Sequence, residues 1–200
     1  MTTWWHDQRL DAAEAVVRAS GAQSVLDLGC GDGALLLRLA ALPAITRLTG
    51  IDIDAAALDR LRARLALCDS GARQIALHLA SMTDPDPRLA GYDCATLIET
   101  IEHLDPGSLT RMERAVFGTM RPGMVVLTTP NAEFNPLLGV PAHRFRHPDH
   151  KFEWTRDRFR RWAMGVAARG GYAVACEDIA GRHPTLGGAS QMAVFRRAAA

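Results

Sequence analysis

The stretch Val25-Leu26-Asp27-Leu28-Gly29-Cys30-Gly31-Asp32-Gly33 constrains the fold more than any other part of the chain. The apolar run over 24–28 reads as a buried strand, alternating glycines follow it, and the pattern over 34–41 is helical. Strand, glycine loop and helix in that order open a βαβ unit. Glycine there lets the backbone take positive φ and come close to a nucleotide-type ligand. The next apolar run, 48–53, carries Asp52 near its end, 23 residues after Gly29. An acid at that point suits the two hydroxyls of a ribose. Both Asp52 and Asp54 can also be read as turn and cap residues. Asp54 is taken as the cap of a helix over 55–68, and Asp52 as a ligand group.

The rest of the pattern extends this unit into one sheet. An amphipathic helix over 7–20 precedes it, with Leu10, Ala13, Val16 and Val17 on one side. Trp4 and Trp5 come just before and are expected to pack on the domain rather than to line a ligand entrance. Further strands are expected over 75–79, 94–98 and 124–128, with a helix over 105–120 that has Pro106 in its first turn. A helix over 156–169 is capped by Thr155 and closed by Gly170-Gly171. Two adjacent strands, 172–179 and 191–195, end the chain, which argues for an antiparallel edge on a parallel sheet. The segment 129–154 lacks either period. A stretch of that length inside a compact domain reads as an active-site loop. No repeat or linker divides the chain, so residues 1–200 are read as a single domain.

Glu99-Thr100-Ile101-Glu102-His103 follows the fourth apolar run. Three metal-capable side chains therefore stand at a strand's carboxyl end, where open α/β sheets place their chemistry. Positions i, i+3 and i+4 meet on one side only if the chain turns helical there. Glu102 as a helix cap and His103 as a local hydrogen-bonding residue are the plain alternatives. Residues 1–142 hold 12 Lys/Arg against 17 Asp/Glu, whereas 143–200 hold 11 against 5. The basic C-terminal part is suited to a polyanion, or else is a solvated helix surface. With 48% hydrophobic residues, no long apolar run and no secretory leader pattern, a cytoplasmic protein without a membrane span is expected. The spacing of Cys30, Cys68, Cys94 and Cys176 points to reduced thiols rather than to disulfides or zinc.

A nicotinamide fingerprint would read GxGxxG, but Gly29, Gly31 and Gly33 alternate. The motif from Val25 to Gly33, with Asp52 at the second strand's end, resembles that of class I S-adenosylmethionine-dependent methyltransferases. That resemblance implies a Rossmann-like α/β fold with a seven-stranded, mostly parallel sheet in the order 3-2-1-4-5-7-6 and helices on both faces. It also implies that S-adenosylmethionine is held by Asp27, Gly29, Cys30, Gly31, Asp52, Ile53, Met82 and Thr83. Asp27 would lie near the amino-acid end, Asp52 at the ribose, and Met82 beside the adenine. Thr83 or Asp84 would reach the adenine amino group.

Three motifs together resemble a narrower family. They are Glu99-Thr100-Ile101-Glu102-His103-Leu104, Thr129-Pro130-Asn131-Ala132-Glu133-Phe134-Asn135, and Asp149-His150-Lys151-Phe152-Glu153-Trp154-Thr155-Arg156. The family is that of the small-RNA 3'-terminal ribose 2'-O-methyltransferases, which includes plant, animal and bacterial RNA-repair members. It implies a divalent ion, Mg²⁺ or Mn²⁺, held by Glu99, Glu102, His103 and His150. Imidazole ligands move the preference toward Mn²⁺. It further implies an RNA with a free 3'-terminal 2',3'-diol, direct methyl transfer, and a histidine that takes the proton. His103 is the first choice for that base, with His147 and His143 behind it. His147 beside Pro148 also reads as a loop surface residue. Asp149 is either a partner for the His150 ring or a turn residue. Asn131, Phe134, Arg144, Arg146, Lys151 and Arg156 are the expected substrate contacts, with Phe145 an alternative to Phe134 for a terminal base. Phe152 and Trp154 are read as core anchors of the loop. The other reading is a metal-dependent O-methyltransferase of a catechol or vicinal diol. Family members carry additional N-terminal modules that this sequence does not show. It is therefore read as a catalytic domain or a stand-alone relative served by an RNA-repair or RNA-binding partner.

Overall fold

Alternate residues of the central strands feed two different cores. Val25 packs with Leu48, Cys94 and Val126 on one face of the sheet. Leu26 packs with Ala95, Leu97, Val125 and Leu127 on the other. Because both faces are covered, these strands read as nearly continuous apolar runs rather than as alternating ones. The structure is a computed structural model that describes residues 4–68, 72 and 74–198.

Helix α1 (Trp4–Ser20) leads into β1 (Ser24–Leu28), then α2 (Leu36–Ala40), β2 (Arg47–Asp52), α3 (Ala55–Leu65) and β3 (Gln74–Leu79). Strand β4 (Cys94–Ile98), helix α4 (Leu109–Glu113) and β5 (Met124–Pro130) follow. Helix α5 (Arg156–Gly170) and the pair β6 (Tyr172–Ile179) and β7 (Ser190–Arg197) complete the fold. The strand order is β3-β2-β1-β4-β5-β7-β6. All neighbours are parallel except β5–β7 and β6–β7, which are antiparallel. The expected Rossmann-like order is therefore present. Leu10, Leu36, Leu39, Leu58 and Leu61 bring α1, α2 and α3 onto one face. Met112, Phe117, Phe159 and Val166 bring the α4 region and α5 onto the other.

The helix expected over 105–120 is broken into pieces. Pro106–Ser108 is a 3₁₀ turn, α4 is short, and Arg114–Met120 winds as a π-helix that ends at Arg121 with φ 43°. Ala115, Val116, Phe117 and Met120 are all buried. Three consecutive buried residues do not fit on one stripe of a 3.6-residue turn, and the wider winding brings them to the same core. Strand β5 runs two residues further than expected, because Thr129 and Pro130 pair with Gln191 and Ser190. The segment beyond it is irregular as expected, apart from a 3₁₀ helix over Ala132–Leu138. Its two ends are tied together by a parallel bridge between Asn131 and Trp154. The cysteines are free. No helix among the described residues is long and apolar enough to cross a membrane.

Candidate active site

The carboxyl ends of β1, β2 and β4 build a site with two halves. In the first half, Gly29, Gly31 and Gly33 all adopt positive φ, at 77°, 49° and 81°. The backbone N–H groups of Gly29 and Cys30 both donate to the Ile51 carbonyl, at 2.8 and 3.0 Å, which ties the loop to β2. Asp52 fixes the loop from the same side, since its carboxylate accepts from Gly31 N at 2.7 Å and from Asp54 N at 2.9 Å. Asp54 caps α3, accepting from Ala56 N. A Cβ on Gly29 would lie 2.7 Å from Thr100 Cγ2 and 3.0 Å from Met82 Cε. Glycine is thus required there for space as well as for φ. Ile53 is exposed beside Asp52, while Thr83 is buried and hydrogen-bonded to Ser81. Asp84 is exposed and paired with Arg111.

Asp27 lies on β1 directly before this loop and is fully enclosed. Thr96 Oγ1 donates to it at 2.7 Å. Burial raises its carboxyl to about 6 from 3.8, with a further push from Asp52 and an opposing pull from the Thr96 hydroxyl. The folded chain therefore binds more protons at Asp27 than the unfolded chain between these values. Its contribution to stability falls as pH rises through that window and stays lost above it. Asp27→Asn removes that cost. The variant is expected to be more stable than the parent at pH 7.5, by at most about 3 kcal/mol, or several degrees in Tm. The gap should close below pH 4, and affinity for S-adenosylhomocysteine should fall. Thermal melts across pH check this, and a pH-independent gap would contradict it.

The second half starts at Glu99, whose backbone has φ 52°. A glutamate held in the left-handed region costs about 1–3 kcal/mol, a strain that concentrates at functional sites. Thr128 Oγ1 both accepts from Glu99 N at 3.1 Å and donates to Glu99 Oε1 at 3.0 Å. The chain then makes one 3₁₀ turn, Ile101–His103. That turn leaves Glu99 and His103 on one cavity and directs Glu102 inward. Glu99 and His103 line a cavity of about 430 Å³ with Arg9, His147 and His150. Glu102 points inward, is 0% exposed, and accepts from Thr129 Oγ1 at 2.9 Å. Burial, and then the neighbouring charge of Glu99, push its carboxyl well above the ordinary range.

His150 arrives from the irregular segment. Its Nδ1 lies 2.6 Å from Glu153 Oε1. Burial alone would raise the Glu153 carboxyl, but hydrogen bonds from His150, Asn135 and Arg146 N hold it below its usual value. An ionised Glu153 orients the ring and leaves Nε2 as the outward atom. Glu153, not Asp149, is thus the partner of His150. Asp149 instead faces His147, its backbone N–H donating to His147 Nδ1 at 3.2 Å. Partial burial, followed by the two neighbouring imidazoles, lowers the His103 pKa.

The ligating atoms of His103, His147 and His150 all lie within 4.8 Å of one another, the one such group among the described residues. Glu99 and Glu102 are outside that cluster, so the four expected ligands are not gathered at a single point. The residues nonetheless suit a divalent ion. Glu102 Oε1 is buried with no hydrogen-bond partner, which is the atom an ion would satisfy. For His147 the sequence leaves open two readings, a candidate base and a loop surface residue. It is exposed, yet its ring centre is 6.0 Å from that of His103 and 5.6 Å from that of His150.

Several expected substrate contacts prove to hold the loop. Asn131 is fully buried, donating to the Leu186 and Gly188 carbonyls and accepting from Glu133 N. Arg146 donates to Asn135 and to the Ala189 and Asn131 carbonyls. Arg156 is engaged with Glu133, Asp178 and the Thr185 carbonyl. Phe134 is buried in a small cluster with Ala180 and Ala189, its ring edge-on to Trp5. These four satisfy the segment's own buried polar and apolar groups, while Arg146 also lines the cavity and Arg156 is partly exposed. Arg144, Lys151 and Phe145 are exposed. Phe152 and Trp154 are buried and stacked, as expected. Arg9 was not foreseen as a cavity residue, because nothing in the α1 pattern marks which residues reach past the sheet edge. Trp5 does both things weighed for it, packing on Phe134 and lining the cavity.

Comparison with known proteins gives a consistent set of likenesses. A family described as a methyltransferase domain matches residues 25–123. A small RNA 2'-O-methyltransferase of Gallus gallus is 39% identical over 95% of this chain and 53% of its own length. The protein of that name from Arabidopsis thaliana is 33% identical over 96% of this chain and 22% of its own length. The chain thus spans about half the length, or less, of these curated relatives. Among solved structures, the methyltransferase domain of bacterial-CtHen1-C superposes with a TM-score of 0.86 at 38% identity. That match covers 98% of this chain and all of the other. A crystal structure of a small RNA methyltransferase gives the same TM-score at 34% identity, over 96% of this chain and 25% of the other.

Proposed function

This chain belongs to the small RNA 2'-O-methyltransferase family, and from that premise we propose that it methylates the 2'-hydroxyl of a 3'-terminal RNA ribose, with S-adenosylmethionine as donor and a divalent ion as helper. One observation carries the reading: the two halves of the site meet at adjacent residues. Glu99 lines the cavity, and the next residue, Thr100, packs against the Gly29 turn of the glycine loop. A methyl group presented over that loop would thus face an acceptor held at Glu99.

In this proposal the loop from Gly29 to Gly31 presents its backbone to the amino-acid part of the cofactor. Asp52 takes the ribose hydroxyls with the lone pairs its two loop contacts leave free. Asp27, ionised above about pH 6, supplies the negative charge for the cofactor's ammonium group. Ile53 and Met82 offer apolar surface to the adenine. Glu99, Glu102, His103 and His150 are the residues that would hold the ion, a mixed oxygen and nitrogen set that would suit Mn²⁺ better than Mg²⁺. When bound, the ion acidifies and orients the two hydroxyls of a terminal diol. His103 lines the cavity as a proposed ligand, so the nitrogen that faces the ion is committed to it. That nitrogen cannot both ligate and take a proton. The 2'-hydroxyl proton therefore leaves toward solvent on the side where His147 is exposed. Exposed Arg144 and Lys151 meet backbone phosphates, and Phe145 packs on the terminal base. A protein partner that presents the RNA belongs to the same proposal.

The reading is tested by tritium transfer from S-adenosylmethionine to a short single-stranded RNA, with Mn²⁺ or with EDTA. Transfer that needs the ion is expected. Absence of transfer to RNA by protein that binds S-adenosylhomocysteine would overturn the proposal.

A further inference from the structure

We propose that Arg9 is a resident counter-cation of this site: it holds Glu99 while the divalent ion is absent and gives way when the ion binds. The inference rests on the reading of Glu99 as an ion ligand. Arg9 comes from α1, whereas the proposed ligands come from just past β4 and from the irregular segment. Its Nε lies 3.6 Å from Glu99 Oε2, close enough for a charge pair but too long for a hydrogen bond. The same Nε is buried and has no hydrogen-bond partner. Nη2 of the same guanidinium lies 3.3 Å from His6 Nδ1. Burial, and then Arg9 itself, lower the pKa of that histidine, which keeps the ring a neutral acceptor.

The contrast with Arg146 is informative. Both arginines line the same cavity. Arg146 is locked by Asn135 and two backbone carbonyls, so it cannot leave without stripping the loop of its donors. Arg9 faces the acid through charge alone. Glu99 is largely enclosed, with 17% of its side chain exposed, and a carboxylate held there requires a positive neighbour. Arg9 provides one whose contact with Glu99 is loose enough to be exchanged. A divalent ion ligated at Glu99 would stand within a few ångströms of the guanidinium, and that repulsion displaces the more weakly held group.

Mn²⁺ binding to the whole chain, saturated with S-adenosylhomocysteine and free of RNA, tests this by electron paramagnetic resonance of the unbound ion. Arg9→Met is expected to bind Mn²⁺ roughly tenfold more tightly than the parent, because a competing cation is gone. Arg9→Lys keeps the charge and is expected to stay close to the parent. In EDTA the Arg9→Met protein should melt below the parent, and saturating Mn²⁺ should reverse that order. A purely structural role would weaken both properties together. S-adenosylhomocysteine binding reports that each variant is folded, and Arg9→Gln replaces Arg9→Met if the latter does not bind it. Equal or weaker Mn²⁺ affinity without Arg9 overturns this inference alone. A parent protein that binds no Mn²⁺ overturns the metal reading and this inference with it.

Discussion

Glu102→Gln is expected to lower methyl transfer to RNA by roughly a thousandfold or more, equivalent to about 4 kcal/mol of lost transition-state stabilisation. The metal-free protein should meanwhile stay as stable as the parent. The two halves of this expectation come from the same geometry. Glu102 is fully buried, Thr129 satisfies Oε2, and Oε1 has no partner. Burial and the charge on Glu99 favour its protonated form. A neutral glutamine has nearly the shape of that protonated acid, so the empty site loses little. The loaded site loses a charged oxygen ligand. Melting in EDTA and single-turnover transfer with Mn²⁺ are the two readouts. A transfer rate close to the parent's would remove Glu102 from the ligand set, and a large loss of stability in EDTA would make its role structural.

Asp52→Ala is expected to weaken binding of S-adenosylhomocysteine roughly a hundredfold, as lost charge-assisted hydrogen bonds of about 1.5–3 kcal/mol imply. Its carboxylate holds the Gly31 and Asp54 backbone N–H groups at 2.7 and 2.9 Å, so the loop loses its clamp as well as its ribose acceptor. Asp52→Asn keeps one acceptor oxygen and should fall in between. The fold itself should survive, because Asp52 lies at the end of β2 and outside both main cores. Titration calorimetry measures all three proteins, and an Asp52→Ala affinity equal to the parent's would contradict the assignment.

The glycine-loop half of the site was legible in the chain because its parts are local. Gly29, Gly31, Gly33 and Asp52 act within one βαβ unit, and their spacing already carries the geometry. The strand order followed from the resemblance to class I methyltransferases, and the two adjacent final strands agree with it. The second half depends on distant parts of the chain, and sequence reading served it less well. Arg146 and Arg156 looked like phosphate contacts because they are cationic and lie near an active-site loop. An irregular segment also leaves backbone carbonyls and acids inside that need donors. Ala189 O, Asn131 O, Glu133 and Thr185 O claim both guanidinium groups. Phe134 was legible as an aromatic but not as a core residue, since its neighbours Ala180 and Ala189 lie far along the chain. Arg9 left no signal, because the sequence does not show where α1 crosses the sheet edge. Glu153 could have been found: it is three residues after His150, within reach of the ring in any turn.

The central claim is that the cavity beside Glu99 takes a terminal diol. The measurement that tests it most directly compares Mn²⁺-dependent methyl transfer to three RNAs that differ only at the last nucleotide: an ordinary ribose, a 2'-deoxyribose and a 3'-deoxyribose. Transfer to the first and loss with both deoxy ends is the predicted result, because each removes one oxygen of the pair. Equal transfer to the ordinary and 3'-deoxy ends would contradict the two-hydroxyl account, and transfer to a catechol but to none of the RNAs would contradict the substrate class.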